Sequence, residues 1–275
     1  MSRARRATRA AGVWIVLALE GAVAVAPFIL ATLVAAMSRE QFASDGAPLP
    51  DPWTAENFIA VLTKPYPLLA PAALTAAIAA VLCLVQTVSS IFAAYAFARF
   101  EFAGRRILFA LMMLLWLMPP IVTVLPLYLA FATMRMAGTF VALVLPFVLA
   151  SPYAVFLLRQ WFAGIPADLF DAAAIDGASA WTAFRRIAMP LSAPAVASVV
   201  LVTAVTVWNS YLWPRLIAGT RLPQIQVSIA SLQTQYDANW TLVLAASSLA
   251  LLPPLVITVL LQRPFLRIVQ TQPKE

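Results

Sequence analysis

The chain has 275 residues, 63% of them hydrophobic and only 11% charged, with a net charge of +7, no histidine and a single cysteine. Soluble domains carry about 25% charged residues, so this composition excludes an ordinary soluble globule and indicates a polytopic membrane protein. One thiol without imidazoles excludes a disulfide framework and a thiolate or histidine metal site, and no Ser/His/Asp or paired-carboxylate set for catalysis can be assembled.

Arg3, Arg5, Arg6 and Arg9 precede an apolar run from about 13 to 37. That run is too long for a signal-peptide core and lacks a convincing cleavage site, so it is expected to stay as a first span. A hydrocarbon core of about 30 Å requires about 20 residues of helix. Further runs of that kind lie near 68 to 97, 107 to 133, 139 to 158, 194 to 213 and 240 to 262. The expected fold class is all-α: a membrane domain of six helices over 13–262, with tails at 1–12 and 263–275. Glu20, the one carboxylate inside a span, is placed near the headgroups rather than as a proton site.

An even number of spans puts both termini on one face. The thirteen basic residues Arg3, Arg5, Arg6, Arg9, Arg99, Arg105, Arg106, Arg159, Arg185, Arg186, Arg263, Arg267 and Lys274 fall on that face, against Arg39, Lys64, Arg135, Arg215 and Arg221 on the other. The positive-inside rule makes the termini cytoplasmic. The net charge then reflects topology and attraction to anionic lipid, with no call for nucleic acid.

The first external loop, 38–67, holds Pro48, Pro50, Pro52, Pro65 and Pro67. A short helix between Thr54 and Leu62 could lay Phe58, Val61 and Leu62 on the bilayer surface, which makes the segment a surface-anchored spacer. In the third span Pro119, Pro120 and Pro126 should interrupt the helix and free carbonyls that need internal partners, either as a kink or along a pathway. The loop 214–239 is rich in glutamine (Gln224, Gln226, Gln233, Gln235) and is either a connector or a partner surface. Thr203, Thr206, Trp208, Asn209 and Ser210 place polar groups in the fifth span, where Asn209 needs a hydrogen-bond partner.

The polar loop 159–190 is the most patterned stretch of the chain. Pro166 suits the first position of a helix, and Asp168 and Asp171 then fall in or near its first turn, where carboxylates complement the positive end of the dipole. Alanines extend that helix, and Gly177 can end it in the left-handed conformation. Ser179 can cap a second helix running through Trp181 and Phe184 to a break at Pro190. The expected product is a helix-turn-helix outside the bilayer, with a small-residue face of Ala172, Ala173 and Asp176.

The run Asp171 Ala172 Ala173 Ala174 Ile175 Asp176 Gly177 Ala178, followed by Met189 Pro190 Leu191, resembles the EAA loop of ABC importer permeases. Within that family the chain is similar to the second permease of binding-protein-dependent carbohydrate importers of the maltose type. The likeness extends through Ala93–Arg99, Asn57 Phe58, Met118 Pro119, Pro126 Leu127 Tyr128, Trp208 Asn209, Pro253 and Gln262 Arg263, over roughly residues 54 to 265. Asp171 stands where the family has Glu, which keeps the charge and shortens the reach, and the family's Gly-rich C-terminal ending is absent.

The resemblance implies a bacterial inner-membrane subunit, paired with a second permease, docked on an ABC ATPase dimer and served by an extracytoplasmic solute-binding protein. It implies a coupling site at Asp171, Ala172, Ala173, Asp176, Gly177 and Ala178, and a translocation path near Pro126, Tyr128, Thr206, Trp208 and Asn209. The solute would be a sugar, polyol or glycerol phosphate. This chain has no Gly-x-x-x-x-Gly-Lys-Ser/Thr loop, so ATP and Mg would be used by the partner ATPase. The alternative is a stand-alone secondary transporter or channel, which usually needs ionisable groups at midplane and inverted repeats.

Overall fold

The computed structural model describes residues 3–44, 49–63, 67–235 and 239–270, and every regular element among them is helical. In chain order these are α1 (Arg3–Ala35), α2 (Arg39–Ala43), α3 (Glu56–Leu62), α4 (Leu69–Arg99), α5 (Arg105–Leu117), α6 (Pro120–Thr133) and α7 (Phe140–Val144). There follow α8 (Pro152–Ala163), α9 (Ala167–Ile175), α10 (Ala180–Ala183), α11 (Met189–Leu191), α12 (Ala193–Trp208), α13 (Leu212–Ile217), α14 (Ile225–Gln235) and α15 (Trp240–Gln270). The all-α membrane fold is as expected. Four stretches are long and apolar enough to cross a bilayer, namely Gly12–Ala35, Leu69–Arg99, Phe140–Ala163 and Trp240–Leu261, and the count reaches six if each of two bent helix pairs is one span.

The third span is bent far more sharply than a kink. α5 and α6 meet at 96°. Met118 (ψ 127°) and Pro119 (ψ 129°) are both extended, because each precedes a proline whose ring excludes the helical conformation. Pro126, expected to interrupt as well, lies inside α6. The fifth span also differs from the expected 194 to 213: α12 stops at Trp208, and α13 starts only at Leu212. The loop 214–239 is largely helical, being occupied by the end of α13 and by α14, while Tyr236–Ala238 lie outside the described residues.

The chain divides into two compact units, Met1–Leu69 with Ser228–Leu252, and Ala70–Val227 with Pro253–Glu275. In the first unit α1 ends against α3. Asn57 Nδ2 donates to the carbonyls of Ala35 and Met37, both at 2.8 Å, and the Thr54 N–H donates to Ala36 O at 2.9 Å. These donors satisfy three carbonyls that the helix end would otherwise leave open. Thr241, fully buried, brings its hydroxyl to Asn57 Oδ1 at 3.3 Å and to Asn239 Oδ1 at 2.8 Å. The Thr54–Leu62 segment is therefore a clamp on α1 rather than a surface-anchored spacer. Val61 points inward with 0% exposure, leaving Phe58 half-buried and Leu62 exposed.

The second unit is built on α4, which contributes to two apolar cores among the described residues. Ile78 and Leu82 join Phe131, Leu143, Trp213 and Ile217 in one core, while Ile91, Ala94 and Tyr95 join Val155, Leu158, Phe162, Phe184 and Val199 in the other. Between these two groups α4 carries a polar strip that repairs the break in the fourth span. Gln86 Nε2 donates to Phe147 O at 2.7 Å, Ser89 Oγ to Val148 O at 3.4 Å, and the Ser151 N–H to Ser90 Oγ at 3.0 Å. Irregular backbone at membrane depth is tolerated where protein groups satisfy it in this way.

Replacing Asn57 with Ala removes both clamp donors and leaves two carbonyls at the end of α1 unpaired. The expected loss is about 1–3 kcal/mol, read as a lower midpoint of thermal aggregation for the detergent-solubilised protein. An unchanged midpoint would refute the clamp.

Candidate functional site

The polar hairpin begins later than the sequence suggests, because α8 continues through Arg159 to Ala163. Pro166 (φ −54°, ψ 136°) is the N-cap of α9 rather than its first helical residue, and Asp168 lies in the first turn. Asp171 follows and is exposed. At the other end the Gly177 N–H donates to Ala174 O at 3.0 Å and the Ala178 N–H to Ala173 O at 2.8 Å, the paired reverse bonds of a Schellman ending. Gly177 has φ +76°, the left-handed value that such an ending requires.

Ala172 and Asp176 are exposed and Ala173 is half-buried, so the small-residue face is open. Beside it Ile175 is 87% exposed and Leu169 44%, an apolar pair on a nine-residue helix. Sequence reasoning passed over both. Their signal was available, since Leu169, Phe170 and Ile175 are the large apolar residues of an otherwise small and acidic helix, and of these Phe170 is covered by Arg99.

Ser179 caps α10 as expected, its Oγ accepting from the Thr182 N–H at 3.2 Å. The expected break at Pro190 does not occur. Phe184–Ala188 winds as a π-turn, with the Met189 N–H reaching Phe184 O, and Pro190 is taken into α11. The wider turn relieves the clash between a proline ring and the preceding carbonyls. The chain bends instead at Ser192, by 69°, into α12.

The hairpin is fastened to α4 and α8. The Arg99 guanidinium, at the end of α4, donates to Ile165 O and lies 4.1 Å over the Phe170 ring of α9. Tyr95 meets Phe184 at 4.8 Å and Phe162 at 5.3 Å between ring centroids. Phe92 meets Phe184 at 5.6 Å, and Trp161 Nε1 donates to Leu191 O at 2.9 Å. Both arms are thus held by aromatic and charge-assisted contacts, the kinds that each contribute beyond simple area burial.

A cavity of about 660 Å³ lies within the second unit, bounded by α4, the α5–α6 bend, the α7–α8 break and α12. Its aromatic wall includes Trp116, Phe147, Tyr153 and Trp213, and its polar groups include Gln86, Thr203, Thr206 and Gln224. Trp116 packs on Tyr153 at 5.9 Å, and Trp213 is fixed by its Nε1 donating to Ala142 O at 3.1 Å. Of the five residues placed on the path, Thr206 alone lines this cavity. Trp208 is buried, Asn209 turns its Nδ2 back to Val205 O at 2.9 Å and receives Gln226 Nε2 at 3.4 Å, Tyr128 packs against an apolar core, and Pro126 is exposed. Among the described residues no group of three or more His, Cys, Asp or Glu side chains is close enough to hold a metal ion.

A membrane helical bundle with an exposed two-arm hairpin and a half-open cavity fits a subunit of a membrane transport system. Residues 86–267 match the family described as "Binding-protein-dependent transport system inner membrane component", and the chain belongs to that family. It is 31% identical over 191 residues to the arabinooligosaccharides transport system permease protein AraQ of Bacillus subtilis, covering 68% of each chain. It is 37% identical over 183 residues to the sn-glycerol-3-phosphate transport system permease protein UgpE of Salmonella typhi, covering 65% of this chain and 64% of the relative. In fold it resembles a chain of a bacterial ABC transporter involved in the import of the acidic polysaccharide alginate, with a TM-score of 0.76 at 20% identity, covering 96% of this chain and 98% of that one. Family membership displaces the stand-alone transporter or channel: the protein is a subunit of a binding-protein-dependent transport system.

Arg99→Ala should loosen the hairpin without unfolding the spans. Amides of 167–178 are expected to exchange faster by the equivalent of about 1.5–3 kcal/mol, the range of a hydrogen bond to a charged group. Hydrogen–deuterium exchange read by mass spectrometry checks this, and unaltered protection in α9 would show that Arg99 does not hold the hairpin.

Proposed function

We propose that the chain is one permease of a heterodimeric ABC importer for a saccharide or related polyol, and that its hairpin couples the membrane subunit to a separate ATPase dimer. The carrying observation is α9 itself: a short exposed helix with a small-residue face, a rigid Schellman ending at Gly177 and an unpartnered apolar pair, Leu169 and Ile175. Apolar side chains displayed outside the membrane on a fastened element suit docking into another protein. Asp171, Ala172, Ala173, Asp176, Gly177 and Ala178 form the contact, and ATP with Mg is consumed in the partner.

The solute class is supported by the relatives, whose names give arabinooligosaccharides and sn-glycerol-3-phosphate as their cargo. The second alginate-transporter structure that this fold resembles (TM-score 0.69) is a complex with a pentasaccharide-bound periplasmic protein, which supports an extracytoplasmic binding protein as a partner here. The inequality of basic residues between the two faces supports a cytoplasmic position for the hairpin and both termini.

Gly177→Val is expected to abolish uptake and substrate-stimulated ATP hydrolysis together. Apart from its chain neighbours, no atom of the described residues comes within 4 Å of a Cβ at that position, so the cost arises from the left-handed backbone, roughly 1–3 kcal/mol for a β-branched residue, and from crowding of the docked partner. Asp176→Lys should act alike, while Ser179→Ala loses only a cap, at about 0.5–2 kcal/mol. Full stimulation in Gly177→Val would make the hairpin an ordinary connector. Topology is tested on a Cys83→Ser background: a cysteine at Ser179 should label only after permeabilisation and one at Arg221 from outside, and the opposite pattern would overturn the orientation.

A further inference from the structure

Three arginines of the second unit, Arg135, Arg215 and Arg221, belong neither to the cavity wall nor to the hairpin, and all three are exposed. One hydrogen bond gathers them. The Gly138 N–H, three residues after Arg135, donates at 2.7 Å to the carbonyl of Ile217, two residues after Arg215. Arg221 lies across Gly138, where an added Cβ would stand 2.8 Å from its Cδ, so the glycine (φ +78°) leaves room for the arginine stem. The cluster sits at the end of α4 remote from the hairpin. Ile217 and Leu222 pack in the core of Ile78, and the Ile225 N–H donates to Thr75 Oγ1 at 3.0 Å, whereas the hairpin is tied to Arg99. Thr75 to Arg99 is about 36 Å of helix at 1.5 Å per residue. We propose that this arginine cluster is a docking surface for a carboxylate-rich edge of the extracytoplasmic solute-binding protein. The inference rests on the importer reading and on the orientation proposed with it, and adds which residues meet that partner and by what charge.

The charges at this end are uncompensated. Between Ala70 and Val227 the acids are Glu101, Asp168, Asp171 and Asp176, which lie just beyond Arg99 or on the hairpin, at the opposite end of α4. Like charges gathered without counter-ions repel, and carboxylates supplied by a partner relieve that repulsion through the two-pronged pairing that guanidinium favours. Arg135 is moreover the only non-glycine residue with positive φ among the described residues (φ +57°), a conformation that a side chain adopts at a cost. Helix dipoles favour cations at the C-terminal ends of α6 and α13, which accounts for Arg135 and Arg215 but not for Arg221 laid across Gly138. Anionic lipid is the poorer occupant. Membrane insertion disfavours basic residues on the outer face, and the exposed neighbours Met134 and Tyr211 complete a mixture of Arg, Met and aromatic side chains that is enriched where proteins meet.

The test uses the whole complex in nanodiscs, with ATP hydrolysis titrated by the solute-loaded binding protein that stimulates the wild type. Arg135→Glu combined with Arg215→Glu, neither of which touches Gly138, should raise the half-saturating concentration of binding protein by at least about tenfold while the rate at saturation is retained. Lysine at both positions should restore most of the affinity. Raising salt from about 50 to about 300 mM should weaken wild-type docking and affect the reversed complex less. Should the reversal prevent copurification, glutamine at both positions is read in its place, with a rise of about threefold. An unchanged half-saturating concentration overturns the inference, as does a lower saturated rate at unchanged affinity. A rise seen with phosphatidylglycerol in the nanodisc and absent with phosphatidylcholine alone also overturns it, by assigning the arginines to lipid. If no binding protein stimulates the wild-type complex, the importer reading itself fails, which is distinct from a failure confined to these arginines.

Discussion

The hydrogen bond from Gln86 to Phe147 O answers the strictest requirement of the lipid interior, that no backbone polar group be left without a partner. The Phe140–Ala163 span is broken between α7 and α8, and a break inside a span frees carbonyls that need partners. α4 closes it with Gln86, Ser89 and Ser90, residues that an isolated apolar helix would not need. With the break stabilised, Phe147, Ser151 and Tyr153 can turn towards α12 and form the cavity wall. The opening is thus a product of the repair.

The same helix carries the hairpin. α4 is a continuous helix of 31 residues, about 45 Å at 1.5 Å per residue, longer than the hydrocarbon core requires. Its far end projects Phe92, Tyr95 and Arg99 onto the two arms of the hairpin, and its middle presents Gln86 to the cavity. Through Arg99, the carbonyl of Ile165 and the ring of Phe170 are tied to the end of a helix that runs without a break. The π-turn at Phe184–Ala188 adds an irregular element at the base of the second arm, where Phe184 meets Tyr95.

Much of the candidate site was legible because it is made of local chemistry. Ser179 caps its helix, Gly177 adopts the left-handed turn and Asp168 sits in a first turn, each decided within a few residues by backbone geometry. Where local signals competed, the outcome depended on neighbours. Pro190 looks like a helix break, yet the π-turn absorbs it, and Pro126 remains inside α6 while Pro119 and Pro120 turn the chain through 96°. Val61 appeared to belong to a bilayer-facing stripe, but the bonds from Asn57 to Ala35 and Met37 set the rotation of α3 and turn that side chain inward.

The sequence by itself determined the helical class, the apolar spans, the charge bias and the hairpin, because hydropathy is a sum over adjacent residues and caps are formed between near neighbours. Only the tertiary structure decided which polar residues meet across the chain. Gln86 with Phe147 and Thr203, Asn57 with Thr241, and Arg99 with Ile165 and Phe170 are separated by scores of residues and share no periodic signal. For that reason Trp208 and Asn209, conspicuous in the sequence, do not line the cavity, Trp208 being buried and Asn209 exposed, whereas Gln86 and Tyr153, which nothing in the sequence distinguished, form part of its wall.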